Sequence, residues 1–195
     1  MRIIAKTRRS AELNDLKPLP LRLKLLGFGE QEMVPVDRII AALDRLPGHH
    51  LSDVKAIIYA PSWTPSADCP IRPAYLQHFP KAEFIQRQRE IVFYELGNLE
   101  LFHHVLYHEI GHVVFYLALN SRVKKQWVTQ IHPHSTCVTA YGSTNASEDF
   151  AETYAYYLVN PQALQQLPAK YAFMHDWVFS GRRESLKEKN VMEQK

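Results

Sequence analysis

His108-Glu109-Ile110-Gly111-His112 sets two imidazoles and a carboxylate in the HExxH spacing. Residues four apart on a helix share one face, with Cβ atoms about 5–6 Å apart, so both rings can reach one zinc ion at about 2.0–2.1 Å. Glu109 then projects toward the open side of the ion, placed to act as general base on a zinc-activated water. Gly111 costs a helix about 1 kcal/mol relative to alanine, which points to a close approach by another element. A catalytic zinc takes three protein ligands and one water, so the pattern predicts a third donor elsewhere in the chain.

That donor is sought in Ser147–Tyr157. Glu148 and Glu152 stand one turn apart there, among Phe150, Ala151, Tyr154, Ala155 and Leu158. Two carboxylates beside an apolar stripe are unlike a solvated helix face, although acidic residues at 148 and 149 also suit a helix N-terminus electrostatically. The pairs His49-His50 and His103-His104 and the phrase His132-Pro133-His134 lack both the i, i+4 spacing and a carboxylate phrase, and read as surface or core histidines. His175-Asp176 reads as a helix-surface pair. Trp63, Trp127 and Trp177 read as core or lobe-interface residues.

The elements that would hold these groups follow from periodicity. Leu99–Leu119 contains no proline, Asn98 can cap its first turn, and apolar residues recur at 101, 102, 105, 106, 110, 113, 114 and 117, which predicts a long helix buried over most of its surface. Ala146–Val159 is a second helix ending before Pro161, and about 169–179 a third. Val36–Leu46 is a short helix between Pro35 and Pro47-Gly48, and Val54–Ala60 a buried strand stopped by Pro61. Ser62–Pro80 is a proline-rich loop. Phe84–Leu96 reads as one strand, exposed over Gln86–Glu90 and closed by Gly97-Asn98. Residues 1–30 read as an irregular or partly helical lead-in, 128–141 as irregular, and 181–195 as a charged tail.

Composition narrows the function classes. The 195 residues, 46% hydrophobic and 22% charged, suit a single folded domain. The net charge of +3 is spread among acidic neighbours, which argues against a nucleic-acid surface. The run Val113–Leu119 is far below the roughly 20 residues that span a bilayer, so no membrane partner is expected. Met1–Lys6 lacks the apolar stretch of a secretory signal, so the expectation is a cytoplasmic protein, or one exported by a route without a classical signal peptide. Cys69 and Cys137 form no CxxC pair, and whether they bridge stays open.

The motif His108–His112 followed by Val113-Val114, together with Glu148-Asp149-Phe150-Ala151-Glu152-Thr153-Tyr154, resembles the gluzincin metallopeptidases. Within them it resembles the catalytic domain of anthrax lethal factor and the small bacterial Pro-Pro endopeptidases. The resemblance covers roughly residues 90–180. It implies Glu148 as the third zinc ligand and Glu152 as the group that orients a ligating imidazole, His108, through its other ring nitrogen. It also implies Tyr141, seven residues before that ligand, as a phenol donating to the oxyanion. Lys170–Phe179 looks like the closing helix of such domains.

The fold implied is α+β and zincin-like: a small twisted sheet packed on the HExxH helix, in an N-terminal lobe of about 1–119, with a helical C-terminal lobe of about 120–180. Proteins of this fold bind substrate as a strand added to a sheet edge just before the HExxH helix. Here that edge is expected in Phe84–Tyr94, with Arg87, Arg89, Ile91 and Phe93 facing the substrate. The expected activity is that of a monomeric Zn2+ metalloendopeptidase acting on a protein or peptide. The rival reading is a non-catalytic zinc-binding regulatory or structural module, in which His132 or His134 closes the coordination shell.

Overall fold

A computed structural model of the chain describes residues 23–61 and 81–180. Expectations for the lead-in before residue 23, the loop 62–80 with Trp63 and Cys69, and the tail 181–195 lie outside the described residues. The chain divides into two compact units, Met1–Val113 and Val114–Lys195, a division that falls inside the helix carrying HExxH.

The described residues of the first unit form four short strands: β1 (Lys24–Leu26), β2 (Ala56–Tyr59), β3 (Ala82–Ile85) and β4 (Glu90–Phe93). They form one sheet in the order β1-β2-β4-β3. β2 runs parallel to both β1 and β4, while β3 is antiparallel to β4. Parallel neighbours require a crossover, and between β1 and β2 it contains α1 (Val36–Asp44) and the single turn α2 (Gly48–Leu51). Pro35 and Pro47 stand at their N-terminal caps, where a proline sacrifices no helical hydrogen bond. α1 buries Ile39, Ala42 and Leu43.

After the sheet comes α3 (Leu99–Val113), which carries HExxH. Its first turn is capped as the sequence suggests, Asn98 Oδ1 accepting from Leu101 N at 2.8 Å. Phe102, Leu106, Tyr107 and Ile110 are all fully buried, each such side chain contributing about 1.5–3 kcal/mol by burial. Phe102 lies 4.8 Å from Phe93 of β4, ring centre to ring centre, with the planes tilted by 32°, which ties the helix to the sheet. The Tyr107 hydroxyl donates to the Ala42 carbonyl at 3.0 Å, which ties it to α1. Phe28 fills the space between Tyr59 and Phe102, with ring centroids at 5.9 and 6.2 Å. Gly27 makes that approach possible: its φ is +78°, and a β-carbon there would lie 2.1 Å from the Tyr59 carbonyl oxygen.

The segment expected to be one strand, Phe84–Leu96, is a hairpin instead. β3 ends at Ile85, Gln86–Arg89 form the turn, and β4 begins at Glu90. The exposed polar run is therefore the turn itself, with Arg89 at a φ of +59° and its guanidinium 2.7 Å from Asp53. This corrects the expected substrate edge. Arg87 and Arg89 sit on the turn, while Ile91 and Phe93 lie on β4, whose two sides are paired to β2 and β3. Ile91, Val92 and Phe93 are all fully buried, the pattern of a strand covered on both faces.

The second unit is helical. The helix begun as α3 continues through a π turn at Val114–Ala118, closed by Leu119 N to Val114 O at 2.9 Å. α4 (Ser121–Gln126) starts at Asn120, whose Oδ1 accepts from Val123 N at 2.9 Å. It runs through a second π turn at Trp127–Ile131 into a 3-10 turn at His132–His134, so part of the stretch read as irregular is helical. A further 3-10 turn at Gly142–Thr144 precedes α5 (Ala146–Val159). α6 (Pro161–Gln165) and α7 (Pro168–Phe173) each have proline in the first turn, and α7 passes into a π turn at Met174–Phe179.

Trp127 is the hub of this unit. Fully buried, it meets Phe150 edge-on at 5.2 Å and Phe173 at 5.0 Å, while Phe115 reaches Phe150 at 5.3 Å. Its indole N–H donates to the Ala146 carbonyl at 2.8 Å and so meets the polar requirement of a buried tryptophan. The protein is thus α+β, with one small mixed sheet among many helices. Among the described residues no helix is long and apolar enough to cross a membrane.

Candidate metal centre

α3 carries His108 and His112 one turn apart, with the Nε2 atoms 3.1 Å from each other and the rings nearly perpendicular at 84°. Two nitrogens bound tetrahedrally to one zinc at about 2.0–2.1 Å stand about 3.3–3.4 Å apart, so the observed spacing is close to that of a shared ion. His108 is buried and His112 half-buried; Glu109, between them in sequence, is 5% exposed. A histidine and a glutamate buried side by side in a helix are costly unless their polar groups find partners. Gly111 is itself buried.

α5 is started by Asn145, whose Oδ1 accepts from the backbone N–H groups of Ser147 and Glu148, both at 3.0 Å. The cap fixes where Glu148 leaves the backbone. Its carboxylate also gains from the partial positive charge of the helix N-terminus. Four polar side chains within two turns are hidden here: Glu148 is 6% exposed, Asp149 0%, Glu152 5% and Thr153 0%. Thr153 donates its hydroxyl to the Asp149 carbonyl at 2.6 Å. Glu148 and Glu152, the two carboxylates singled out by the sequence, are therefore buried together rather than spread over a solvated face.

Two groups among the described residues have the donors and spacing to hold a metal ion. In the first, His108 and His112 of the first unit offer two imidazole nitrogens, and Glu148 of the second unit offers a carboxylate oxygen. Two neutral imidazoles and one carboxylate form the donor set of a catalytic zinc, and they leave a fourth position open. Tyr141 is half-buried immediately before the 3-10 turn Gly142–Thr144, its carbonyl accepting from Thr144 N at 3.0 Å and Thr144 Oγ1 at 2.6 Å.

The second group has no local spacing to announce it: His132, Cys137 and Asp149, with ligand atoms within 4.8 Å of one another. His132 Nδ1 is 2.9 Å from Asp149 Oδ2, while the Lys170 ammonium donates to Asp149 Oδ1, with both of the latter side chains fully buried. Burial pushes the Cys137 thiol above its ordinary pKa, and the neighbouring Asp149 charge pushes the same way. Cys137 is a free cysteine. The signal that would have revealed this group was the double acid Glu148-Asp149, since only one of two adjacent helical carboxylates can face a given site. His175 and Asp176 form the exposed pair expected of them, at 2.9 Å. Compared with known proteins, the chain matches no family model and no curated protein.

Proposed function

We propose that this chain is a zincin-like, zinc-dependent metalloendopeptidase in which His108, His112 and Glu148 hold the ion and Glu109 is the general base. The observation that supports the reading is the pair of imidazole nitrogens 3.1 Å apart on one helix face, with the Glu109 between them in sequence buried. Bound there, zinc would supply Lewis acidity, making a water more acidic and polarising the substrate carbonyl. The remaining work falls to the protein's own groups.

Glu109 takes a proton from the attacking water at its carboxylate and passes it to the departing amine, the double role of a general acid–base. Tyr141 donates its phenolic hydrogen to the oxygen on which charge develops, and Glu152 holds the His108 ring in the tautomer that presents a lone pair to the ion. Burial of Glu109 removes the water that would otherwise compete for these hydrogen bonds.

The test is a cleavage profile on a random peptide library, run beside Glu109→Gln. The expected result is about one zinc per chain in both proteins, with cleavage reduced in the variant by about 10²–10⁴-fold. Undiminished cleavage in Glu109→Gln would remove Glu109 as the base. Zinc retained by a wild-type protein that cleaves nothing would leave the zinc-binding module.

A further inference from the structure

We propose that His132, Cys137 and Asp149 form a second divalent-ion site, distinct from His108, His112 and Glu148, for a thiophilic or borderline ion of the zinc class. The inference does not rest on the reading of the first centre. Its donors are an imidazole nitrogen, a thiol sulfur and a carboxylate oxygen with mutual separations within 4.8 Å. A site with a sulfur ligand favours zinc, cobalt or cadmium over magnesium and calcium, which prefer oxygen alone.

The details suit entry and retention of an ion. Asp149 is fully buried at the base, while His132 is 24% exposed, so access is from the histidine side. The two carboxylate oxygens are divided: Oδ1 accepts from Lys170, and Oδ2 faces His132 Nδ1. An ion bound at Oδ2 need not displace the ammonium. It does need more negative charge than a carboxylate already neutralised by Lys170 can give, and the Cys137 thiolate supplies it. Binding therefore breaks the S–H bond, forms a metal–sulfur bond and releases that proton to solvent; the Nδ1 hydrogen of His132, where present, moves to Nε2 through solvent with no net change. Gly142 closes the floor: a β-carbon there would stand 3.4 Å from the Asp149 α-carbon and 3.6 Å from the Cys137 β-carbon.

The residues come from three places in the second unit: the 3-10 turn after α4, the loop before Tyr141 and the first turn of α5. An ion joining them would clamp the loop that carries Tyr141 to the helix that carries Glu148. Lys170 nearby makes this the weaker of the two sites, because its positive charge repels the ion.

The experiment is titration of metal-free full-length protein with Co2+, followed by absorbance and by alkylation. Wild type is expected to bind Co2+ with growth of the near-ultraviolet thiolate-to-cobalt charge-transfer band. His112→Ala and Cys69→Ser are expected to keep that band and Cys137→Ser to lose it. In unmodified wild type, Co2+ is expected to slow maleimide labelling of Cys137, read by mass spectrometry of its peptide, so the outcome does not depend on how any variant folds. A band that survives Cys137→Ser, or Cys137 labelling that is unchanged by saturating Co2+, would overturn the site.

Discussion

Lys170 and Asp149 form an ion pair in which neither side chain is exposed at all, and the ammonium also lies 5.6 Å from the centre of the Trp127 ring. A lysine on α7 thus neutralises an acid in the first turn of α5, one residue after Glu148. Desolvating two charges is expensive, and here the cost is offset by the pair's attraction, by the indole face and by the hydrogen bond from His132.

Removing one partner of this pair leaves the other charged and stranded. Lys170→Met is expected to destabilise the protein by about 3–5 kcal/mol in metal-free buffer. The double variant Lys170→Met/Asp149→Asn is expected to recover a large part of that loss. Urea denaturation of the single and double variants measures both, and an additive double variant would show that the two side chains are not coupled.

Glu148→Ala should lower zinc affinity more than Glu152→Ala, whose loss is expected at about 10–100-fold if it only orients a ligand. Dialysis against a graded chelator series with elemental analysis of the retained metal gives the order. The reverse order would exchange the two roles.

His103 is held below its ordinary pKa of 6.5, first by burial and then by the positive charge of Arg45, with Arg38 also facing it. The folded state therefore favours the neutral ring, and the unfolded chain takes up the proton first as pH falls. Stability is lost as pH drops below 6.5 toward the folded-state value, and is unaffected by this group above it. His103→Gln should flatten that part of the Tm-against-pH curve between about pH 8 and about pH 5. Parallel curves for the two proteins would assign the acid loss to other groups.

Gly27→Ala tests the close approach of Phe28 to the sheet. The new methyl would overlap the Tyr59 carbonyl and also occupy a left-handed conformation, so a loss of about 1–3 kcal/mol or more is expected. Gly29→Ala is the control, since a β-carbon there meets nothing within 4 Å. Equal thermal midpoints for the two variants would contradict the geometry.

Elements bounded by strong local chemistry were legible in the sequence. α5 has the predicted limits because Asn145 caps one end and Pro161 follows the other, and α1 sits between two prolines. The helical placement of His108 and His112 followed from uninterrupted apolar periodicity. The hairpin was not legible, because its turn Gln86–Arg89 contains no glycine, proline, asparagine or aspartate, and the left-handed position is filled by an arginine. The start of α4 is written in Asn120, whose side chain caps it. The His132, Cys137 and Asp149 group depends on side chains meeting across several turns, which no local spacing records.

The three π turns at Val114–Ala118, Trp127–Ile131 and Met174–Phe179 have a consequence for how this sequence can vary. A π turn closes its hydrogen bond over one residue more than an α turn, so each is a point of slack in the helical ladder. Shortening the chain by a residue at Val114–Ala118 could be absorbed by a return to ordinary winding, without moving the imidazoles upstream. The same deletion between His108 and His112 has no such reserve and would turn one ring away from the other.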